Sequence, residues 1–415
     1  MLGSTARGQR TAPVDHLATD HALVERSLAR DCMTDREIDV RDGVRVPAGP
    51  AGPAGAALDA VHRPVGDLLA RFLADRVADL CALDPALEAI GREVEQLVAR
   101  GGKRLRPAFV YWGQRATGAA HDDGIYWPAA AVELLHTFAL IHDDVMDRSA
   151  ERRGHPAVHA SMAHAHTKDG MVGDPTWFGV GGAILAGDLA FVWADQLLDE
   201  SPLPAAAVAR ARRVFTELRV EVMAGQYLDL RLAGMRAATE QDSLRVALLK
   251  SGRYTVTRPL QLGAAVGANP VRAGASAPVD MRALDAALTA YGDAVGLAFQ
   301  LRDDVLGLFG DPSETGKGAL EDLREGKRTV LILRALEFSG AAERAALADI
   351  LGSKNLSVSD ADRAREIVVA SGALDSVERW LSEQLDRACD AVAGLGAPAG
   401  PALLELAELS LFRRV

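Results

Sequence analysis

Aromatic side chains make up only 5% of this chain, and cysteine appears three times in 415 residues. With so few Tyr, Phe and Trp, and with Ala and Leu dominant, the composition favours helix over sheet. Cys32, Cys81 and Cys389 are odd in number, widely separated and without metal-ligand spacing. That excludes a disulfide framework and indicates the reduced thiols of a cytoplasmic protein. An excess of positive charge is also missing. The formal net charge is −11, which argues against a nucleic-acid partner. The stretch from Met1 to Asp20 has no apolar core of the kind a secretory signal requires. No uncharged apolar run reaches the roughly 20 residues that span a bilayer, so no transmembrane segment is expected. Alternating strand-like runs joined by hairpin turns are not found as a series.

What the chain does contain is helical pattern and clustered charge. Hydrophobic residues are 49% and charged residues 25% of the total, enough for one large core or two smaller ones. Residues 1–57 read as a linker-like or disordered N-terminal extension, because Val46 to Gly55 is a Pro/Gly/Ala run that cannot hold a helix. A docking or targeting arm is the functional alternative for it. From residue 58 to 415 helical periodicity prevails, and an all-α single domain is the simplest fit. In the segment Ala129 to Asp147, Leu134, Phe138, Ile141 and Val145 form one apolar stripe. His136, Leu140, Asp143 and Asp147 share another face. Tyr291 to Phe309 repeats the plan with Gly296, Gln300, Asp303 and Gly307. Loops are expected at 119–124, 164–175, 269–278 and 311–318.

Two acidic faces then stand out. Asp143, Asp144 and Asp147 form one, with Arg152 and Arg153 close behind; Asp303 and Asp304 form the other. Opposed across a helical bundle, they would offer oxygen ligands to hard cations such as Mg²⁺, which completes its shell with water and substrate phosphates. A basic run, Gly101-Gly102-Lys103-Arg104-Leu105-Arg106-Pro107, places three cations in four positions after paired glycines that permit close approach of an anion. Lys317 and Lys327, each beside glycine, read as a positively charged lid. Each cluster alone has a bland reading as solvated surface. Gly225 to Asp229 and Lys250-Ser251-Gly252 are close to noise individually.

In combination and in this order, GGKRLRP, HTFALIHDDVMDRSAERRGHP, GQYLDL, the Lys250 segment, FQLRDD and DLREGKRT resemble the trans-isoprenyl diphosphate synthases, the polyprenyl synthetase family. The resemblance covers residues 60–415. It implies a single large helical bundle around a deep apolar pocket, a homodimer, and head-to-tail condensation of isopentenyl diphosphate with an allylic diphosphate. It implies two or three Mg²⁺ ions, replaceable by Mn²⁺, held by Asp143, Asp144 and Asp147 on one side and by Asp303 and Asp304 on the other. It assigns Arg152, Lys250, Lys317 and Lys327 to the allylic diphosphate, and Lys103, Arg106, His136 and Arg153 to isopentenyl diphosphate. Gln300 and Ser251 would face the developing allylic cation, which makes Lys250 and Gln300 the catalytic side chains. The second acidic motif departs from the fullest pattern, having Gly307 where a third Asp would stand; Asp311 is a candidate to assist. Ser251 keeps the hydroxyl of the more usual Thr.

Phe138 and Ala139 lie five and four positions before Asp143, and nothing is inserted between Asp144 and Asp147. Within the family this combination resembles geranylgeranyl (C20) synthases, with farnesyl (C15) and geranylfarnesyl (C25) products as neighbours. Phe138 as plain core packing is the bland alternative. Three other classes compete. Class I terpene cyclases would not need Lys103, Arg106 and Arg153. A non-catalytic partner subunit would be expected to have lost an acidic motif. A ligand-free structural bundle would gain nothing from carboxylates facing a cavity.

Overall fold

The computed structural model describes residues 55–235, 237–268, 279–310 and 319–411, with two short strands at 38–41 and 44–47. Cys32, Asp311, Lys317 and the loops expected at 269–278 and 311–318 lie outside the described residues. The chain divides into two units, residues 1–51 and 52–415. In the first, β1 (Ile38–Arg41) pairs antiparallel with β2 (Val44–Pro47), Ile38 opposite Pro47 and Arg41 opposite Val44. This ladder falls inside residues 1–57, for which sequence pointed to a linker. The signal was present: Ile and Val alternate with charged residues on either side of Asp42-Gly43.

The second unit is built from helices: α1 (Ala56–Leu83), α2 (Glu88–Ala99), α3 (Leu105–Ala116) and α4 (Tyr126–Met146) come first. After a two-residue ladder of β3 (Glu151–Arg152) and β4 (His155–Pro156) follow α5 (Val158–Lys168), α6 (Pro175–Asp199), α7 (Ala205–Ala233) and α8 (Glu240–Val246). A wide π-type turn, Ala247–Thr257, leads into α9 (Arg258–Gly267). Then come α10 (Met281–Phe309), α11 (Ala319–Glu325), α12 (Val330–Phe338), α13 (Ala341–Ile350), α14 (Val358–Ala370), α15 (Ala373–Val392) and α16 (Ala399–Leu411). The first helix starts at Ala56, where Ala57 and Leu58 are already buried. The loop expected from residue 164 begins only after Lys168, because His164 to Lys168 continues the periodicity of α5 and buries His166.

Local chemistry sets the helix starts. Asp174 caps α6 by accepting from the amides of Thr176 and Trp177, with Pro175 in the first turn. Asp280 caps α10 in the same way. Thr239 with Asp242 and Ser357 with Asp360 form capping boxes on α8 and α14.

The helix carrying Asp143, α4, is the hub. Its residues Ala129 to Leu135 are buried, and it packs on α6, α3 and α1. Burying so long an apolar face is what holds a helix without glycine or caps of its own. The other acidic helix, α10, is held from behind. Tyr291 donates to the carbonyl of Leu403 at 2.6 Å. Buried Arg302, adjacent to Asp303, makes a paired bond to Glu378 at 2.7 and 2.8 Å and donates to the carbonyl of Leu411. Among the described residues, two helices, Tyr126–Met146 with its lead-in turn and α6, are long and apolar enough to cross a membrane; the first is largely buried in the bundle, and α6 is buried over less than half.

Candidate active site

Asp143, Asp144 and Asp147 close the C-terminal end of α4 with different surroundings. Asp144 is buried and is held by Arg152, whose Nε donates at 2.9 Å and whose Nη2 makes a closer second bond. Asp143 accepts from Gln226 of α7 at 3.0 Å and lies 3.3 Å from the Lys250 ammonium. Asp147 has a buried carboxylate oxygen, Oδ2, that meets no donor. Burial first, and Asp143 second, push the Asp147 carboxyl up to about 6, against the pull of Lys327 and Lys250. A buried carboxylate oxygen without a donor is costly, and a cation would relieve it.

The wide turn at 247–257 brings Lys250 to this face. Its ammonium bonds Asp229 at 2.6 Å as well as approaching Asp143. Burial opposes the charge on Lys250, but Asp143 and Asp229 outweigh it and raise its pKa. Glycines allow the approach. A Cβ on Gly225 of α7 would stand 2.3 Å from the Lys250 amide nitrogen. Gly252 and Gly296 meet backbone to backbone, so that a Cβ on Gly296 would stand 2.5 Å from the Gly252 Cα. Ser251 is half-buried beside them.

On α10, the Gln300 amide donates to Asp304 at 2.8 Å. Burial, then Asp322 and Asp303, push the Asp304 carboxyl up to about 8, with Gln300 and Lys327 pulling the other way. Lys327 pairs with Asp322 at 3.0 Å and Glu325 at 2.7 Å. Its pKa is raised despite burial, by Asp322, Glu325 and Asp147 together. Gly307 stands against Asp322: a Cβ there would be 2.3 Å from the Asp322 Oδ2. So where the fullest motif has a third Asp, a carboxylate from α11 occupies the adjoining space.

A second cationic group lies beside the first acidic face. Arg106 donates to Thr255 at 2.8 Å and sits 4.5 Å over the Tyr254 ring. His136 bonds the Tyr254 hydroxyl at 2.8 Å. Burial, then Arg106, Arg153, Arg152 and Arg104, hold the imidazole well below its usual range, so it is neutral at pH 7. Arg153 bonds the carbonyl of Gly101, and Lys103 is exposed on the same loop. Arg104 anchors that loop in a left-handed conformation (φ 52°), its buried guanidinium bonded to Glu133 and to the carbonyl of Val98.

Thus Asp143, Asp144, Asp147, Arg152, Lys250 and Lys327 are linked through contacts and mutual charge, while Asp303, Asp304 and Gln300 share α10, with Asp304 coupled to Lys327. Arg106 and His136 meet at Tyr254, and Arg153 reaches the loop that carries Lys103. Sequence reasoning assigned no role to Gln226, Asp229, Tyr254, Thr255 or Asp322. Three of these lie inside the quoted motifs GQYLDL and DLREGKRT, which was the available signal. Among the described residues, no three His, Cys, Asp or Glu side chains converge tightly enough to enclose an ion by themselves. The carboxylates are offered singly or in pairs. That suits Mg²⁺ completed by diphosphate oxygens rather than a closed protein cage, and the donor-free Asp147 oxygen is consistent with it.

A helical bundle with acidic faces on α4 and α10, beside Arg152, Lys250 and Lys327, has the all-α fold of the isoprenoid synthases. The chain matches the polyprenyl synthetase family over residues 88–368. It is 35% identical over 298 residues to a geranylfarnesyl diphosphate synthase of Aeropyrum pernix, covering 71% of this chain and 84% of that protein. It is 31% identical over 323 residues to a geranylgeranyl diphosphate synthase of Sulfolobus acidocaldarius, covering 77% and 89%. The fold matches a crystal structure of geranylgeranyl pyrophosphate synthase from Corynebacterium glutamicum, complexed with isoprenyl diphosphate and magnesium. The TM-score is 0.80 at 35% identity, over 86% of this chain and 99% of that one. The chain belongs to the polyprenyl synthetase family and is a prenyltransferase that makes a polyprenyl diphosphate. The relatives' names differ in product length and do not fix it.

Proposed function

We propose that this protein condenses isopentenyl diphosphate with an allylic diphosphate, head to tail, to give geranylgeranyl diphosphate (C20). The observation that carries the reading is the cation-braced acidic face: Lys250 and Arg152 lie within bonding distance of Asp143 and Asp144, beside the donor-free Asp147 oxygen. Asp143, Asp144 and Asp147, with Asp303 and Asp304 opposite, would hold Mg²⁺, in two or three ions replaceable by Mn²⁺. When bound, Mg²⁺ supplies charge neutralisation of the diphosphate leaving group. Lys250, Arg152, Lys327 and Lys317 bind the same diphosphate, and their charges favour departure over return. The allylic C–O bond breaks with its electron pair leaving on diphosphate. The double bond of isopentenyl diphosphate then forms the new C–C bond, and a proton is lost to the released diphosphate. Lys103, Arg106 and Arg153 bind isopentenyl diphosphate. Neutral His136 serves there as a hydrogen-bond donor oriented by Tyr254. Gln300 orients Asp304, and with Ser251 it lines the path of the allylic cation, from which water must be excluded.

The working form is a homodimer in the cytoplasm. Supporting this, Val220, Met223, Tyr227 and Leu230 form an exposed apolar stripe on α7, and Trp177, Leu185 and Val192 are exposed on α6. Cys81 and Cys389 are free thiols. The deciding experiment incubates purified protein with Mg²⁺, labelled isopentenyl diphosphate and dimethylallyl, geranyl or farnesyl diphosphate, and identifies the dephosphorylated product by mass. A C20 alcohol is expected. A C15 or C25 product would overturn the length assignment, and no condensation by folded protein would overturn the reaction.

A further inference from the structure

The wide turn at 247–257 carries residues that serve two places at once. From it Lys250 reaches Asp143 and Asp229, while Tyr254 bonds His136 and Thr255 accepts from Arg106. Bonding of this width is rare in proteins, and where it occurs it is often at a functional site.

Two helices hold the turn, one on each side. On α7, Glu217, Glu221, Gly225 and Asp229 recur every four residues and so share a face. All four meet the segment from Lys250 to Arg258. Glu221 accepts two bonds from Arg258, at 2.7 and 2.8 Å, and one from Arg253 at 3.3 Å. Glu217 accepts from Arg258 at 2.6 Å. Gly225 and Asp229 meet Lys250 itself. On α10, Asp293 accepts from Arg253 at 3.2 and 3.3 Å and from the Thr257 hydroxyl at 2.8 Å. Gly292 lets that helix close in, since a Cβ there would stand 2.6 Å from the Thr257 Cα. Arg253 therefore spans both helices, bonding a carboxylate on each. Burial opposes the charge on Glu221, but Arg258 and then Arg253 outweigh it and hold its carboxyl below the usual range. Glu221 is therefore ionised at neutral pH.

These carboxylates are remote from the acidic faces along their own helices. Glu221 lies eight residues before Asp229 on α7, a rise of about 12 Å, and Asp293 lies ten residues before Asp303 on α10, about 15 Å. Their route to the chemistry is the turn. We propose that Glu221, Asp293 and Arg253 are positioning residues: they clamp the turn so that Lys250 meets the acidic face while Tyr254 meets His136. This rests on the reading above, in which Lys250 serves the allylic diphosphate and His136 serves isopentenyl diphosphate. One clamp thereby aligns two substrates that must react with each other. Loosening it weakens both diphosphate sites and the alignment between them.

The test measures kcat, KM for each diphosphate, melting midpoint and hydrogen exchange of the 247–257 amides in Arg253→Met, Arg253→Lys and Glu221→Gln. Arg253→Met keeps a long apolar stem and removes the guanidinium. It should raise KM for both diphosphates, lower kcat by up to about 100-fold and speed exchange in the turn. Arg253→Lys restores the charge without the fork that bonds two carboxylates, and should fall between Arg253→Met and wild type. Glu221→Gln should act in the same direction as Arg253→Met. Tyr254→Phe removes only the bond to His136 and should raise KM for isopentenyl diphosphate alone. As a control, Arg344→Met cuts a guanidinium strap onto the carbonyls of Leu336 and Ser339, outside the turn. It should lower the midpoint and leave kcat and both KM values unchanged. Folded Arg253→Met and Glu221→Gln enzymes with kcat and both KM values within about threefold of wild type would overturn the clamp, even if their midpoints fall as the control's does. If Arg253→Met does not fold, Arg253→Lys and Glu221→Gln are judged by the same outcomes. A wild type that condenses nothing with any primer sinks the synthase reading, whereas hydrogen exchange in the turn still decides the clamp.

Discussion

Gly225→Ala is the substitution from which the structure predicts most. The added Cβ would stand 2.3 Å from the Lys250 nitrogen, 2.6 Å from its Cα and 2.7 Å from the Leu249 carbonyl carbon. All three are backbone atoms and have no rotamer to yield. Normal separations are about 3.5–4.0 Å, so α7 and the wide turn must part by roughly 1 Å. Overpacking of this kind costs about 1–3 kcal/mol. The substitution also gains up to about 1 kcal/mol in helix propensity. The expected net loss of stability is therefore small, about 1 kcal/mol, whereas Lys250 is displaced relative to Asp143 and Asp229. A misplacement of about 1 Å in a positioned group costs on the order of 100-fold in rate. The assay pairs kcat and KM for condensation with thermal unfolding, using Gly66→Ala as control because a Cβ there meets nothing within 4 Å. The expected signature is a kcat about 100-fold lower with a modest fall in melting midpoint, and a control that is unchanged or slightly more stable. A Gly225→Ala enzyme with kcat within about threefold of wild type would refute the claim that this close approach sets Lys250.

Three further outcomes follow from buried charge. Arg104→Met leaves the Glu133 carboxyl buried without its partner, both side chains being 7% exposed in the pair; urea unfolding should show a loss of about 3–5 kcal/mol, largely recovered in Arg104→Met/Glu133→Leu. Asp304 carries a folded-state pKa of about 8 against an unfolded value near 3.9. The folded protein then holds the extra proton between those limits, so metal-free stability should fall as pH rises from about 4 through 8. Asp304→Asn should flatten that fall and raise the metal-free melting midpoint at pH 8, at the expense of activity. Gly307→Asp adds a carboxylate against Asp322 and should lower the metal-free midpoint at pH 8, with recovery on adding Mg²⁺ and inorganic diphosphate; an unchanged midpoint would remove Asp322 from that space.

Helical spacing put Asp143 and Asp147 on one face of α4, and the structure holds both beside Lys250; Gln300 was grouped with Asp303, whereas its amide bonds Asp304 one turn on. The partners of such faces were not legible in sequence. Arg104 with Glu133, Lys250 with Asp229 and Arg302 with Glu378 join residues far apart in the chain, and periodicity gives a face without saying what meets it. The wide turn at 247–257 was not read from the sequence, where Lys250-Ser251-Gly252 offered no signal of i→i+5 bonding. The strands at 38–47 were passed over because the Pro/Gly run after them dominated the composition of the whole extension.

The bracing of the acidic face by Lys250 and Arg152 has a consequence for how ligands enter. Before any ligand arrives, these carboxylates and cations neutralise one another. Under the proposed function, metal and diphosphate would arrive as an exchange of partners, the carboxylates turning to metal and the released cations to phosphate. Metal alone would strand the cations, and diphosphate alone would strand the carboxylates. The two affinities are thus thermodynamically coupled, each ligand tightening the other by the same factor. On that reading, such a site favours the pair over either ion alone.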